Sequence, residues 1–183
     1  KEITANINGN ALNGIIYSLK TTYQITNPIE RGLIVPSATN TGNGNINNTI
    51  VEWSQTCWAT STATSGVYYQ VYFPIGKIKV TGYSLRGCSG LWYPKTWKVF
   101  GFNEENKNDE SSWDVLGENT STASQPYCYT TSNVCNSYDV GTFTVKRTSK
   151  FYKYVRFVMT QGSCSDGTGR FQLSGFDIFG TLS

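Results

Sequence analysis

Histidine is absent from all 183 residues, and with it the side chain most often recruited for general acid–base work at neutral pH. Serine and cysteine triads of the usual kind are therefore excluded. Zinc finds neither a histidine nor a C-x₂-C pair to hold it. The stretch Gly42-Asn43-Gly44-Asn45 lacks the lysine and following helix that a phosphate-cradling loop needs. The twelve acids fall mostly in polar stretches and in no recognisable glycosidase signature. The chain is read as a non-enzyme, with binding or structure as its work.

Charge is scarce as well. Fifteen Lys and Arg against twelve Asp and Glu leave a formal net charge of +3, and no basic run is longer than Lys146-Arg147, so a nucleic-acid stripe is missing. No window reaches the roughly eighteen consecutive apolar residues of a transmembrane segment. The chain opens on Lys1-Glu2 rather than a basic-then-apolar leader, so a processed or excised piece is expected.

Aromatics are plentiful, with twelve Tyr, nine Phe and five Trp, a mix that favours strands and gives an all-β fold class. Alternating or aromatic-rich runs near residues 12–19, 32–35, 50–53, 67–73, 77–86, 96–101, 113–116, 141–146, 151–160 and 171–179 predict strands, and no amphipathic helix stands out. Residues 37–48 are almost wholly Ser, Thr, Asn and Gly and read as a long surface loop. The acidic stretch 103–112 reads as a solvated hairpin connection, and 121–139 as a third long loop. Neither a repeat nor a linker divides the chain, so one domain over 1–183 is expected, with 1–40 an N-terminal strand-and-loop segment.

Cys57, Cys88, Cys128, Cys135 and Cys164 lie in loop-like stretches rather than apolar runs, which points to an oxidising compartment and an extracellular or cell-surface location. Six residues separate Cys128 from Cys135, enough to close a small loop by a disulfide.

The second half carries a familiar order of motifs. Val80-Thr81-Gly82-Tyr83-Ser84-Leu85-Arg86-Gly87, a loop, Tyr93-Pro94-Lys95-Thr96-Trp97-Lys98-Val99-Phe100-Gly101 and Ser112-Trp113-Asp114-Val115-Leu116 follow one another. They are followed by Phe143-Thr144-Val145, Tyr154-Val155-Arg156-Phe157 and Phe176-Asp177-Ile178-Phe179-Gly180, with Tyr69-Gln70-Val71-Tyr72-Phe73 upstream. Over roughly residues 45 to 181 this order resembles the discoidin, or coagulation factor V/VIII C-type, family of galactose-binding-like domains. The resemblance implies an antiparallel jelly-roll-like β-sandwich with its ligand face on loops at one end. Val80, Tyr83, Leu85, Trp97, Val99, Trp113, Val155, Phe157, Phe176 and Ile178 are then expected in the core.

Three loops map to that face, residues 54–66, 88–93 and 162–169, each with a cysteine. Trp58, then Ser89, Leu91, Trp92 and Tyr93, then Asp166 are the candidate ligand-binding residues. Aromatic faces pack against sugar C–H surfaces while polar tips fix orientation. Trp58, Trp92 and Tyr93 read equally well as packing residues, and Arg86 and Arg156 as structural caps. Cys88 with Cys164 is the expected second disulfide, since both follow strands ending at the same end; Cys57 could replace either. No cofactor is expected. A structural calcium, known in related modules, finds weak support here. Gly175 stands where a glutamate would ligate it, and Asn43, Asn45 and Asn48 stand in place of carboxylates.

The fold implied by the resemblance hosts sugar, phospholipid and protein binding alike. A carbohydrate-binding or lectin-like module with a glycan partner is one reading. An adhesive module that binds a cell-surface or extracellular protein, or a second copy of itself, is the other.

Overall fold

A computed structural model of the chain describes residues 2–51, 56–61, 65–88, 94–104, 109–120, 138, 140–162 and 170–183. In chain order the elements are β1 (Ile3–Ala5), α1 (Ile15–Tyr23), β2 (Val35–Ala38), α2 (Asn48–Val51), β3 (Trp58–Ala59), β4 (Tyr68–Tyr72), β5 (Ile78–Arg86), β6 (Pro94–Phe102), β7 (Asp114–Asn119), β8 (Val140–Thr144), β9 (Tyr154–Gly162), β10 (Gln172–Leu173) and β11 (Gly175–Leu182). They form a four-stranded sheet β1-β11-β5-β8, a five-stranded sheet β2-β4-β9-β6-β7 and a ribbon β10-β3. Every strand pairing is antiparallel.

The two large sheets bury one face each against the other, as the period of two in their strands demands. Val80, Leu85, Phe176 and Ile178 from one sheet meet Tyr69, Val71, Trp97, Val99, Val155 and Phe157 from the other in a single core. Phe157 lies 4.8 Å from Tyr83 and 5.3 Å from Phe176, ring centre to ring centre. The Trp97 indole N–H donates to the Tyr83 hydroxyl across the layers at 2.7 Å, so a buried polar pair is satisfied inside the apolar layer. All ten expected core residues are buried. Trp113 alone of them is outside this layer, in a second cluster on the outer face of the five-stranded sheet with Phe100, Phe102, Tyr154 and Val158.

Residues 12–19 do not form the expected strand, because Ile15–Tyr23 is a helix. Its buried stripe is Ile15, Ile16 and Leu19, which fits helical spacing as well as strand alternation. The start of the helix has no side-chain cap of its own. Asp177 on β11 supplies one from across the chain, accepting from the backbone N–H groups of Gly14 and Ile16 at 2.9 Å each and of Tyr17 at 3.4 Å. A Cβ on residue 14 would sit 2.3 Å from the Asp177 Oδ1, so glycine is required for the carboxylate to reach the helix end. Of the expected strand at 50–53, Ile50 and Val51 instead close a helical turn, Asn48–Val51, and residues 52 and 53 lie outside the described residues.

Candidate functional site

The ends of β5, β6, β9 and β11 bring the candidate loops together. Arg86 closes β5 opposite Gly175, where β11 begins, and opposite Val140, where β8 begins. Pro94 opens β6 opposite Gly162, the last residue of β9. The connections 87–93 and 163–169 therefore leave from neighbouring strand ends at one end of the sandwich.

The base beneath them is covalent. Cys57 and Cys88 form a disulfide with Cα atoms 5.9 Å apart, tying the exit of β5 to the chain that enters β3. Cys88 does not bond Cys164 as expected. Both partners of the observed bond flank strands of the same rim, whereas Cys164 lies outside the described residues, as do Cys128 and Cys135. Ser174 reinforces the corner by donating its hydroxyl to the Gly87 carbonyl at 2.5 Å, and its backbone N–H to the Arg86 carbonyl at 2.9 Å.

The ribbon of β3 and β10 makes the second half of the frame. Thr60 donates its N–H to the Phe171 carbonyl at 3.1 Å and accepts the Phe171 N–H on its hydroxyl at 3.1 Å. The polar loop before α2 is laced onto the same ribbon. Gly42 donates to the Ala59 carbonyl at 2.9 Å, Ala59 to the Asn43 carbonyl at 3.0 Å, and the Ser61 N–H to the Asn40 side chain at 2.8 Å. A segment poor in apolar residues, with Ala38 and Ile46 packed against the core at its two ends, is thus ordered in between by hydrogen bonds.

Trp58 is fully buried, which corrects its assignment as a ligand-contacting side chain. Its ring lies 5.6 Å from Tyr69 and 6.5 Å from Phe171, and the indole N–H reaches the Thr41 hydroxyl at 3.4 Å. It is the plug under the rim. Ser89, Leu91, Trp92, Tyr93 and Asp166 lie outside the described residues; their flanks, Cys88, Pro94, Gly162 and Arg170, belong to the frame. The sequence reading missed Thr60, Asn40 and Thr41 as organisers of this end, because each works through a partner distant along the chain, a backbone group for Thr60 and Asn40 and the Trp58 indole for Thr41.

Arg86 sits at the rim with its guanidinium 4.9 Å from the centre of the Tyr138 ring, and burial pulls its pKa below the usual arginine value. It reads as a support of the corner. Arg156 is on the opposite side, outside the five-stranded sheet, over Tyr68 at 4.0 Å and Trp113 at 4.6 Å. Asn45 spends its side-chain oxygen on the Asn47 N–H at 3.0 Å. No three His, Cys, Asp or Glu side chains gather in one place among the described residues, and the donors that calcium prefers are thin in the early loop. No described helix is long and apolar enough to cross a membrane.

No protein-family model and no curated protein matches the chain. Solved structures do. The Clostridium perfringens module CpGH89CBM32-5 in complex with GalNAc-β-1,3-galactose is 14% identical, with a TM-score of 0.56 over 81% of this chain and 96% of that one. Chitosan-binding module 2 of a chitosanase/glucanase from Paenibacillus sp. IK-5, in complex with chitotriose, is 13% identical, with a TM-score of 0.58 over 81% and 97%. The family 32 CBM of C. perfringens NanJ in complex with galactose is 14% identical, with a TM-score of 0.55 over 81% and 95%. At such identities the likeness establishes the galactose-binding-like β-sandwich fold.

Proposed function

We propose that this chain is a non-catalytic carbohydrate-binding module whose sugar site is the loop-bearing end framed by the Cys57–Cys88 disulfide and the β3–β10 ribbon. The observation that carries the reading is the convergence, on a braced rim, of the strand ends from which these connections leave, in a fold whose structural neighbours include sugar-bound modules. Anchoring the 88–93 connection at both ends lowers the entropy lost when a ligand orders it, which raises affinity without enlarging the contact. The connection carries Leu91, Trp92 and Tyr93 between two strands, where a bare turn would be polar. Ring faces there would take the C–H face of a sugar, with Ser89 and Asp166 as polar partners. An oxidising, extracellular setting fits a module that relies on a disulfide at its site.

The test is a glycan array followed by calorimetry on the full chain, with sedimentation to read its size. Binding of a defined glycan by a monomer supports the reading. A silent array with a self-associating chain overturns it in favour of an adhesive module.

A further inference from the structure

A cleft of about 500 Å³ lies well away from the loop-bearing end, on the outer side of the four-stranded sheet. Asn6 and Ile7 beyond β1, Lys79 and Thr81 of β5, Thr144 at the close of β8 and Arg147 after it build its walls. Lys79 and Arg86 are seven positions apart on β5, which places the cleft about 23 Å along the strand from the loop rim.

The backbone shapes it. A Cβ on residue 82 would come within 2.5 Å of the Ile7 side chain and 2.6 Å of the Phe143 carbonyl. Glycine there lets the chain after β1 lie against β5 as one wall. The other wall is pinned by the Val145 N–H donating to the Thr81 carbonyl at 3.2 Å and the Lys146 N–H to the Leu116 carbonyl at 2.7 Å. Neither fastening uses the side chains that face the cleft.

Its chemistry is one-sided. Lys79 and Arg147 bring two positive charges and the threonines bring hydroxyls, with no carboxylate among the described lining residues. The Lys79 ammonium is 5.5 Å from the centre of the Phe151 ring, a contact that steers it without neutralising it. Arg147 is exposed and has no hydrogen bond or ion pair among the described residues. A second cleft of about 280 Å³ shares Arg147 and Thr148 with the first and adds Lys146 and Lys150. Its carboxylate, Asp114, is already taken up by Lys150 at 2.8 and 2.9 Å and by the Tyr152 hydroxyl at 3.1 Å. The groove therefore keeps uncompensated cations in a chain of modest net charge.

We propose that this groove is a second carbohydrate subsite, which binds an anionic sugar unit of a polysaccharide through Lys79 and Arg147. It rests on the carbohydrate reading only in naming a sugar as the carrier of the charge. The volume suits one or two sugar rings. The planar guanidinium takes a sulfate or carboxylate by paired hydrogen bonds while the ammonium adds a point charge, and the threonine hydroxyls and the Asn6 amide are partners for ring hydroxyls. Anionic units would engage this face while the loop rim grips the same polymer elsewhere.

Affinity electrophoresis of the full chain in gels of dextran, dextran sulfate and carboxymethyl-dextran separates charge from sugar and sulfate from carboxylate. Retardation is expected in one or both anionic gels and not in dextran. Lys79→Ala/Arg147→Ala should weaken it at least tenfold, whereas Arg31→Ala/Lys153→Ala, which removes the same charge elsewhere, should weaken it less than threefold. Equal losses in the two double variants would mean bulk charge alone, and no retardation in either anionic gel would mean no site; both overturn the proposal. If the first double variant melts early, the exposed Arg147→Gln decides in its place, and unchanged retardation in it also overturns the proposal. A chain that is retarded in the anionic gels yet silent on the glycan array fails only at the loop end, and one that binds a neutral glycan yet is not retarded in those gels fails only here, so the two failures are told apart.

Discussion

Four backbone N–H groups converge on the Asp177 carboxyl, the fourth being that of Ile178 at 2.8 Å, yet burial outweighs them and pushes its pKa up to about 6. A carboxyl raised above its unfolded value of about 3.9 gives the folded state stability that is complete below about pH 4 and is lost as the pH climbs through 6. Denaturant midpoints should therefore fall between pH 4 and pH 6.5, and Asp177→Asn should flatten that slope. The same variant should cost about 3 kcal/mol, because the amide NH₂ replaces one acceptor and leaves buried N–H groups facing a donor. Two tryptophans offer a contrast at this scale. Trp58→Ala should cost about 3–5 kcal/mol of stability through the cavity it leaves under the rim. Trp92→Ala should instead lower sugar affinity by about 2 kcal/mol or more with little change in melting temperature. Thermal melts and calorimetry on one sample of each variant check both. If Trp92→Ala melts far below the parent chain, that side chain belongs to the core.

Along whole elements, the five-stranded sheet shows most clearly how neighbours decide a residue's environment. Its outer face would be polar in a simple sandwich, but the rings of Tyr72, Tyr154, Phe102 and Trp113 stack in a row across β4, β9, β6 and the entry to β7, with successive centres 4.6, 5.1 and 4.6 Å apart. Arg156 lies over Tyr68, Trp113 and Phe102 and donates to the Gln70 side chain at 2.8 Å. Burial lowers its pKa, and the rings and Gln70 offset that cost. Arg156→Ala should destabilise by about 1–2 kcal/mol, and Arg156→Lys should recover less than half of it, since an ammonium cannot stack as the planar guanidinium does. Urea titrations of the three proteins settle the order. Expecting Trp113 in the core was right about its burial and silent about its face. Helix α1 was illegible for a related reason: it has no acidic residue in its first turn, no local cap, and Gln24 rather than glycine in the left-handed position that ends it. The signals that mark a helix in sequence were replaced by a carboxylate on the last strand.

At the scale of the molecule, a disulfide spanning 31 positions restrains the unfolded chain, and losing it should cost about 3–4 kcal/mol. Cys57→Ser/Cys88→Ser should melt several degrees lower and also bind sugar more weakly, because the loop base is no longer fixed. Reductant should lower the melting temperature of the parent chain by more than that of the double variant, the difference being the share of the Cys57–Cys88 bond. The strands around Tyr69, Tyr83, Trp97, Phe157 and Ile178 were legible in the sequence, since alternation along a strand is a local property set by backbone geometry. So was the all-β class. Which cysteine meets Cys88, that Trp58 turns inward, that Asp177 starts a helix and that Lys79 and Arg147 share a groove were decided only by the tertiary structure. Each depends on segments far apart in the chain coming together, and a local pattern carries no record of its distant partner.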